Sequence, residues 1–354
     1  MERRNFLKNL GVGTAALPLA GFLPIFDGKI VPIDSPSFEI LPKRLSAGDT
    51  IGIVSPSSAI FDSEPYEIAV ENFQAMGLKV KLGEFVKGRY GHLAGTDEER
   101  AEEFNAMFKD PEIDAVIALR GGSGAARILR MIDYEAIAAN PKIFIGYSDI
   151  TALHTAIYTK TGLVTYHGPL AVSTWNQFSY DHFRKLLFNA EALKWENPKN
   201  KRGLLTQTTN RTRTIAPGKA TGTLLGGNLS VLTGIMGSEY FPKDWSNTIL
   251  YLEDVGEAIY AVDRMMSQLM LGGVLEQISG FVFGKCTDCD PKGSGYGSLT
   301  LEEVIDYYIK PLGIPAYSGA MIGHIDDNWT IPNGAKAEVD ASNGTLRLLA
   351  PAVK

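Results

Sequence analysis

An apolar strand leads straight into a helix in the stretch IFIGYSD, residues Ile143–Asp149, and the helical pattern continues to Tyr158. On both sides of this stretch, short apolar runs alternate with segments whose apolar residues recur at three- and four-residue steps. Strand runs that are apolar throughout, separated by helices of about ten residues, are typical of a parallel sheet covered on both faces. The sequence therefore predicts an N-terminal α/β domain with a doubly wound parallel sheet of the flavodoxin or Rossmann type.

Four further strands of this sheet are predicted around that stretch. They cover Ile51–Val54, Leu78–Leu82, Asp114–Leu119 and Leu163–Tyr166. Ligands of open parallel sheets bind beyond the carboxyl ends of the strands. We therefore expect a single functional rim, formed by the loops that begin at Ser55, Gly121, Tyr147 and His167.

The character of the chain changes in residues 197–219, which are polar, rich in Thr, Asn and basic side chains, and contain Pro217-Gly218. We interpret this stretch as a linker between an N-terminal domain, residues 45–196, and a C-terminal domain, residues 220–354. Beyond it come a Gly226-Gly227-Asn228 turn, a strand from Thr248 to Leu252 and a helix from Ile259 to Met270. This pattern predicts an α+β domain with a mixed or barrel-like sheet.

The beginning of the chain has a different pattern. Arg3 and Arg4 precede an uncharged stretch from Asn9 to Phe26. A twin arginine ahead of an apolar core is typical of the export signals that carry folded proteins, so residues 1–30 are predicted to be a twin-arginine-type signal and the protein to be exported to the periplasm. Because the apolar run is short and interrupted by two prolines, no stable membrane insertion is expected after export. A frayed N-terminal helix is the alternative interpretation.

Composition excludes several classes of protein. The 354 residues are 45% hydrophobic and 21% charged, which is enough to bury a core, and the 34 basic and 40 acidic side chains give a net charge of −6. No nucleic-acid partner is expected from that balance. Five scattered histidines without metal-binding spacing predict no metal site, and no cofactor is predicted. Cys286 and Cys289 form a single CxxC that is compatible with a local disulfide or with two free thiols, and no catalytic role is assigned to it.

Ser148 is the sharpest candidate for chemistry, because it lies between the predicted strand and the helix that follows. A serine on such a turn projects its hydroxyl into the rim, and Gly146 leaves room for the turn to be tight. The amide of Asp149, at the positive end of the helix, is placed to donate to a developing oxyanion. Serine is also a good helix N-cap, so capping is the alternative interpretation.

The glycine-rich loop Arg120–Gly124 lies between another predicted strand and helix. Exposed amides in this loop are suited to form the second arm of an oxyanion hole or to hold a phosphate. The phosphate interpretation calls for GxGxxG or a P-loop lysine, and the sequence has neither. A plain tight turn is the remaining alternative.

Candidates for the acid and the base come later in the chain. Glu253 follows a predicted strand and is suited to orient a histidine, but Asp254 and Glu257 compete for that role. His324 lies in a loop next to a glycine, and a loop histidine is suited to act as a general base because its ordinary pKa of about 6.5 lies near neutrality. His167, at a strand end on the expected rim, is a weaker candidate. A structural or solvent-facing histidine is the alternative for both.

Together these pieces resemble the LD-carboxypeptidase family of serine peptidases, which includes muramoyltetrapeptide carboxypeptidases and microcin-immunity-type relatives. The resemblance extends from about Leu45 to Leu349. It rests on several short motifs in one order, namely Arg120-Gly121-Gly122, Ile145-Gly146-Tyr147-Ser148-Asp149, His167-Gly168-Pro169, Gly226-Gly227-Asn228-Leu229, Leu252-Glu253-Asp254, Val262-Asp263-Arg264 and Gly323-His324.

The resemblance implies a catalytic triad of Ser148, Glu253 and His324. It also implies an oxyanion hole made of the backbone amides of Asp149 and of Gly121 or Gly122. Glu257, four residues beyond Glu253, leaves the identity of the acid open at this point. Ser123 stands where relatives often carry a larger or polar side chain, which bears on substrate preference.

The implied substrate is a murein tetrapeptide, cleaved between the L-centre of its diamino acid and the terminal D-alanine. The resemblance also implies a homodimer. Arg120 and Arg264 are both possible clamps for the terminal carboxylate. Two alternatives remain open: an immunity-type hydrolase of acyl-sulfamoyl or acyl-phosphoramidate nucleotide toxins, and an exported protein that binds wall peptides without cutting them.

Overall fold

The computed structural model describes residues 39–199, 205–289, 291 and 297–354. These residues form two β-sheets with helices packed around them. Their strands are β1 (Thr50–Val54), β2 (Lys79–Leu82), β3 (Ala115–Ala118), β4 (Ile143–Gly146), β5 (Thr165–His167), β6 (Lys194–Trp195), β7 (Arg213–Ala216), β8 (Lys219–Asn228), β9 (Thr248–Val255), β10 (Gly280–Thr287), β11 (Ala316–Ser318), β12 (Ile331–Asn333), β13 (Lys336–Asp340) and β14 (Thr345–Leu348). The predicted export signal lies outside the described residues.

The α-helices are α1 (Glu64–Ala75), α2 (Asp97–Lys109), α3 (Tyr134–Ala139), α4 (Thr151–Thr161), α5 (Gln177–Leu187), α6 (Leu229–Gly234), α7 (Ile259–Leu271) and α8 (Leu301–Ile309). Short 3₁₀ segments cover Ala125–Met131, Ser148–Ile150 and Lys310–Leu312. Among the residues that the structure describes, no helix is long and apolar enough to cross a membrane.

The first sheet has the strand order β2-β1-β3-β4-β5-β12, and its first five strands are parallel. The order 2-1-3-4-5 is that of flavodoxin-like sheets, so the predicted doubly wound fold is confirmed. Strands β1, β3 and β4 are buried almost throughout because helices cover both faces. Their carboxyl ends meet at one edge, and the strand order reverses between β1 and β3.

The second sheet has the order β6-β14-β13-β8-β9-β10-β11-β7. Strands β8 to β11 are parallel, whereas the strands on either side of them are antiparallel, so the predicted mixed sheet is confirmed. The parallel strands place their carboxyl ends side by side. As a result Asn228, the last residue of β8, pairs with Glu253 in β9.

The two sheets exchange strands. β12 comes from the C-terminal part of the chain and pairs antiparallel with β5 of the first sheet. β6 and β7 precede the second sheet's other strands and form its two edges. β7 lies inside the stretch interpreted as a linker, residues 197–219, and the domain boundaries themselves stay a prediction. This exchange brings the loop between β11 and β12 close to the carboxyl edge of the first sheet.

Local structure differs from the sequence predictions at several points. The predicted helix after Gly124 is a 3₁₀ segment. It is followed by the separate short helix α3, which begins at Tyr134 and is capped by the side chain of Asp133. Helix α5 is absent from the predictions, although Asn176 caps it by accepting the Ser179 N–H. Strand β9 runs past Leu252 to Val255 because β10 and β8 both continue to pair with it. Glu253 therefore lies within a strand rather than after one.

Candidate active site

Ser148 occupies a strained backbone turn at the end of β4. Its φ is +65°, a left-handed conformation that non-glycine residues seldom adopt. Two hydrogen bonds fix the strand residue two positions before Ser148. The Gly146 carbonyl oxygen accepts the ring N–H of His154 at 2.8 Å and the Gly168 N–H at 3.1 Å. Burial lowers the pKa of His154 to about 4, so this ring is neutral and serves as a structural donor.

The capping alternative for Ser148 is not what the structure shows. The residue that caps α4 is Ile150, without a side-chain bond, and the 3₁₀ segment Ser148–Ile150 begins without one as well. A serine that has a strained backbone conformation and makes no capping bond resembles the serine of a nucleophile elbow more than a helix N-cap. Asp149 is the second residue of this 3₁₀ segment, whose first amides have no partner within the segment.

The glycine-rich loop after β3 packs directly against the elbow. A Cβ added to Gly121 would lie 2.8 Å from the Ser148 Cβ and 3.0 Å from its Oγ, so only glycine fits. Gly122 has a φ of +121°, and a Cβ there would lie 2.2 Å from the Ser58 Oγ. The amides of Gly121 and Gly122 donate to no acceptor within the described part of the chain. They are therefore available to a ligand beside Ser148.

The side chain of Asp149 ties the elbow to its neighbours. Its Oδ2 accepts the Ser57 hydroxyl at 2.5 Å and the Ala125 N–H at 2.8 Å. Ser57 belongs to the loop after β1, and Ala125 follows the glycine-rich loop. The three loops at the β1, β3 and β4 edge are thus fixed to one buried carboxylate, a role that the sequence analysis did not assign to this residue.

Glu253 and His324 form a hydrogen-bonded pair. The Glu253 Oε2 lies 2.8 Å from the His324 Nδ1, with the carboxylate fully buried and the imidazole 20% exposed. Neutral histidine has a donor on one ring nitrogen and an acceptor on the other. An Nδ1–H donated to the carboxylate leaves Nε2 free to accept a proton. This is the arrangement by which a carboxylate fixes the orientation and tautomer of an imidazole that acts as a general base.

The other carboxylates do not take this place. Asp254 faces away from His324 and accepts the Ser230 and Val255 N–H groups, each at 2.9 Å. Glu257 lies two residues beyond the end of β9 and makes no contact with His324 in the described structure. Of the three carboxylates that compete in the sequence, Glu253 is the one that the register of β9 brings into contact with His324 in the described structure, and its role as the acid stays a prediction.

Asn228 links the two acidic neighbours. Its Nδ2 donates to the Glu253 Oε1 at 3.2 Å and to the Asp254 Oδ1 at 3.0 Å, while its Oδ1 caps α6 by accepting the Val231 N–H. Burial, with the Glu253 charge as a smaller contribution, raises the pKa of Asp254 to about 6. From the sequence Asn228 was predicted to lie in a turn and was part of a motif, whereas the structure places it at the end of β8.

The loop that carries His324 is anchored to the second sheet. The Thr287 hydroxyl donates to the His324 carbonyl oxygen at 3.0 Å, and the Lys285 N–H donates to the Ile322 carbonyl oxygen at 2.8 Å. Cys286 and Cys289 form a disulfide around Thr287. Of the two redox states that the sequence left open, the structure has the oxidised one.

Two contacts bring the halves of the site together. The Asn228 N–H donates to the Thr151 hydroxyl at 3.0 Å, which joins the end of β8 to the start of α4. The Tyr147 ring, next to the elbow, packs edge-to-face on the His324 ring with centroids 4.8 Å apart. Within the described residues no hydrogen bond joins Ser148 to His324. Such bonds are often long in unliganded enzymes and shorten when substrate binds.

His167 is too deeply buried to be reached by a substrate as a general base. It is fully shielded from solvent between the Tyr147 and Tyr251 rings, and burial holds its pKa well below the usual range. Neither ring nitrogen has a partner among the described residues.

The part of the chain that the structure describes contains no group of three or more His, Cys, Asp or Glu side chains able to hold a metal ion.

The candidate site is divided between two segments that match two domain models of one family. The model of the LD-carboxypeptidase N-terminal domain matches residues 51–168, and that of the C-terminal domain matches residues 221–339. The chain belongs to the LD-carboxypeptidase family. Ser148 and the glycine-rich loop fall within the first matched range, and Glu253 and His324 fall within the second.

Individual members of the LD-carboxypeptidase family match over nearly their whole length. A protein from Bacillus subtilis named as a probable murein peptide carboxypeptidase is 38% identical over 317 residues, which are 87% of this chain and 94% of the relative. A murein tetrapeptide carboxypeptidase from Pseudomonas aeruginosa is 29% identical over 82% of this chain and 93% of its own.

A solved structure of the microcin C7 self-immunity protein MccF in complex with aspartyl sulfamoyl adenosine superposes with a TM-score of 0.81. It is 32% identical, and the match covers 89% of this chain and all of that one. The resemblance predicted from the motifs is therefore confirmed at the level of family and fold. The family and its carboxypeptidase members support peptidase activity for this chain.

Proposed function

We propose that the protein is a serine-type LD-carboxypeptidase that releases the terminal D-alanine from murein tetrapeptides. The observation that carries this proposal is the 2.8 Å bond between the buried Glu253 carboxylate and His324, whose ring packs on Tyr147, the residue next to a serine with a φ of +65°. The murein carboxypeptidases among the relatives support the substrate class.

The proposed reaction proceeds through an acyl-enzyme. The His324 Nε2 takes the proton from the Ser148 hydroxyl, and the Ser148 oxygen attacks the carbonyl carbon at the L-centre of the diamino acid. The amides of Asp149 and of the Gly121–Gly122 turn hold the oxyanion, and each is expected to contribute about 2.7–4 kcal/mol. His324 then gives its proton to the D-alanine nitrogen as the C–N bond breaks. A water, activated by the same histidine, hydrolyses the ester and restores Ser148.

Mass spectrometry of disaccharide tetrapeptide after incubation tests the reaction and the nucleophile together. The parent protein should remove one alanine, and Ser148→Ala should remove none while keeping the same melting temperature. Equal turnover by the two proteins would contradict the proposed nucleophile. Absence of alanine release from both would contradict the murein assignment.

The structural match to MccF supports one alternative. In it the same three residues would hydrolyse an acyl-sulfamoyl or acyl-phosphoramidate conjugate of a nucleotide. The discriminating experiment offers aspartyl sulfamoyl adenosine and disaccharide tetrapeptide to the same preparation. Cleavage of the first with no action on the second would replace the proposal above. Tight binding of tetrapeptide without any product would favour a protein that only captures wall peptides.

We also propose that the protein acts outside the cytoplasm, on the basis of Arg3, Arg4 and the apolar run that follows. Replacement of both arginines by lysine should keep the full-length protein in the cytoplasm. Fractionation of cells that express the two forms measures this directly, and equal export of both would contradict the signal.

A further inference from the structure

Arg120 stands immediately before the Gly121–Gly122 turn, and its side chain folds back over that turn. Its Nε donates to the Gly121 carbonyl oxygen at 3.2 Å, and its Nη1 donates to the Ala59 carbonyl oxygen at 3.1 Å. Both acceptors are uncharged. Arg120 has no ion pair with a carboxylate of the described residues, whereas Arg100, Arg127, Arg213 and Arg347 each have one. Because arginine has five N–H donors, the partly buried guanidinium keeps donors for a ligand.

The turn that carries this guanidinium touches the nucleophile. The Cβ position of Gly121 lies 3.0 Å from the Ser148 Oγ. In a carboxypeptidase substrate, the terminal carboxylate belongs to the residue directly after the scissile bond, and consecutive Cα atoms are only about 3.8 Å apart. A group that binds this carboxylate must therefore lie about one residue's length from the attacked carbonyl. Arg120 is a cation held on this same turn, because its Nε donates to the Gly121 carbonyl oxygen.

We propose that Arg120 binds the terminal carboxylate of the substrate and so restricts the enzyme to the last peptide bond. This inference rests on the proposed function and adds the group that recognises the chain end. A planar guanidinium pairs with a carboxylate through two parallel hydrogen bonds, and the two backbone carbonyls hold the fork in place before substrate arrives. Partial burial strengthens the pair because less water competes for either charge.

Other cations are placed less well. Arg264, the second candidate from the sequence, is exposed on α7 and stacks on the Tyr260 ring at 5.4 Å. Arg89 is exposed, bonds the Phe61 carbonyl oxygen and stacks on the Phe61 ring. Lys285 lines a cavity with Arg211, Arg213 and Cys286, to which no residue of the Ser148 loops contributes.

The test compares the disaccharide tetrapeptide that ends in a free carboxylate with the same molecule ending in an amide. We expect the parent enzyme to prefer the acid in kcat/KM by a factor on the order of 10–100, the range for hydrogen bonds between charged groups. Arg120→Gln should reduce that preference to within a few-fold, mainly by raising KM for the acid. Arg120→Lys keeps the charge without the fork and should retain part of the preference. Arg264→Gln is the matched control and should keep all of it.

Each outcome bears on the proposal. A purely structural role of Arg120 would lower turnover of acid and amide equally and leave their ratio unchanged, which would overturn the inference. Loss of the preference in Lys285→Gln instead of Arg120→Gln would also overturn it. If Arg120→Gln does not fold, as judged by its melting curve, the ratio in Arg120→Lys decides. If the parent enzyme releases no alanine from the acid, the proposed function itself fails, and the inference fails with it.

Discussion

Ser148 and His324 are both held in fixed positions, but by different means. Around the proposed nucleophile, a region called here the nucleophile side, the left-handed turn at Ser148 is shaped by contacts that exclude any side chain at Gly121. Around the proposed acid and base, called here the acid–base side, His324 is oriented by the Glu253 carboxylate, which in turn accepts an N–H of the Asn228 amide. The first side is a packing arrangement of backbone, and the second is a chain of hydrogen-bonded side chains.

The difference indicates which substitutions each side tolerates. A backbone arrangement should be sensitive to added volume and insensitive to changes of charge at a distance, because its geometry is set by steric exclusion. A chain of polar side chains should be sensitive to single-atom changes that keep the volume, because each donor needs its acceptor. One isosteric and one volume-adding substitution therefore separate the two sides.

The largest effect is expected for Glu253→Gln. This change keeps the size of the side chain but offers an amide N–H to the His324 Nδ1, which favours the wrong tautomer of the ring. A comparable loss of the acid in a serine triad lowers kcat by about 10⁴-fold. Steady-state alanine release from disaccharide tetrapeptide measures the effect, with KM expected to change little.

Glu257→Gln is the matched control for this prediction. Glu257 was the competing acid in the sequence and makes no contact with His324 in the described structure. Its replacement should leave kcat within about two-fold, in the range of surface substitutions. A larger loss in Glu257→Gln than in Glu253→Gln would show that the acid–base side is assembled differently in solution.

A smaller loss is expected for Gly121→Ala. The new methyl group would lie 2.8 Å from the Ser148 Cβ, so either the turn or the elbow must move. Displacement of one oxyanion donor costs about 10²–10³-fold in kcat. The melting temperature should fall only slightly, because the strain is confined to the rim, and calorimetry beside the kinetic assay measures both quantities.

Gly234→Ala controls for the general effect of adding a methyl group. Gly234 ends α6, and a Cβ there would meet nothing within 4 Å. We expect unchanged kcat and unchanged or slightly higher stability, since alanine favours helix. Should Gly121→Ala behave like Gly234→Ala, the packing account of the nucleophile side would be wrong.

The same contrast explains what the sequence could predict. The parallel sheet was predictable because buried strands such as β3 and β4 are apolar throughout, and their ends locate the rim. The elbow at Ser148 was predictable because a strand, a glycine and a serine at a helix start are neighbours in the chain. Local backbone features leave local sequence signals.

The acid–base side depends on contacts between distant segments, which leave weaker signals. The sequence favoured Glu253 over Glu257 only through its place directly after a predicted strand and through the resemblance, since the choice depends on which strand position faces a loop 71 residues away. The bonds of Asn228 to Glu253 and Asp254, and the crossing of β12 into the first sheet, have no signature in any one stretch. The same holds for the contacts of Arg120 with Ala59, which separate it from Arg264 as a candidate clamp.

The nucleophile side also rests on a buried carboxylate, and this gives the smallest and most specific prediction. Glu103 of α2 is only 4% exposed and accepts the Ser55 N–H at 2.8 Å and the Phe85 N–H at 2.7 Å. Burial raises its pKa from 4.5 to about 7, despite those bonds. The native state therefore favours the protonated form. This contribution to stability is complete below pH 4.5 and is lost as the pH rises to 7, a change of about 3 kcal/mol.

Urea unfolding of the parent and of Glu103→Gln at a series of pH values tests this. Between pH 4.5 and 7 the free energy of unfolding of the parent should fall relative to that of the variant. Glu103 loses its proton more readily in the unfolded parent over this range, whereas glutamine is neutral in both states. Glu102→Gln, on the exposed face of the same helix, should run parallel to the parent. If Glu103→Gln also ran parallel to the parent, burial would not raise the pKa of Glu103 in the native state, and this prediction would be wrong. If instead the slope appears while the pH profile of kcat is the same in both proteins, the carboxylate stabilises the nucleophile side without entering its chemistry, and the charge-dependent steps belong to Glu253 and His324.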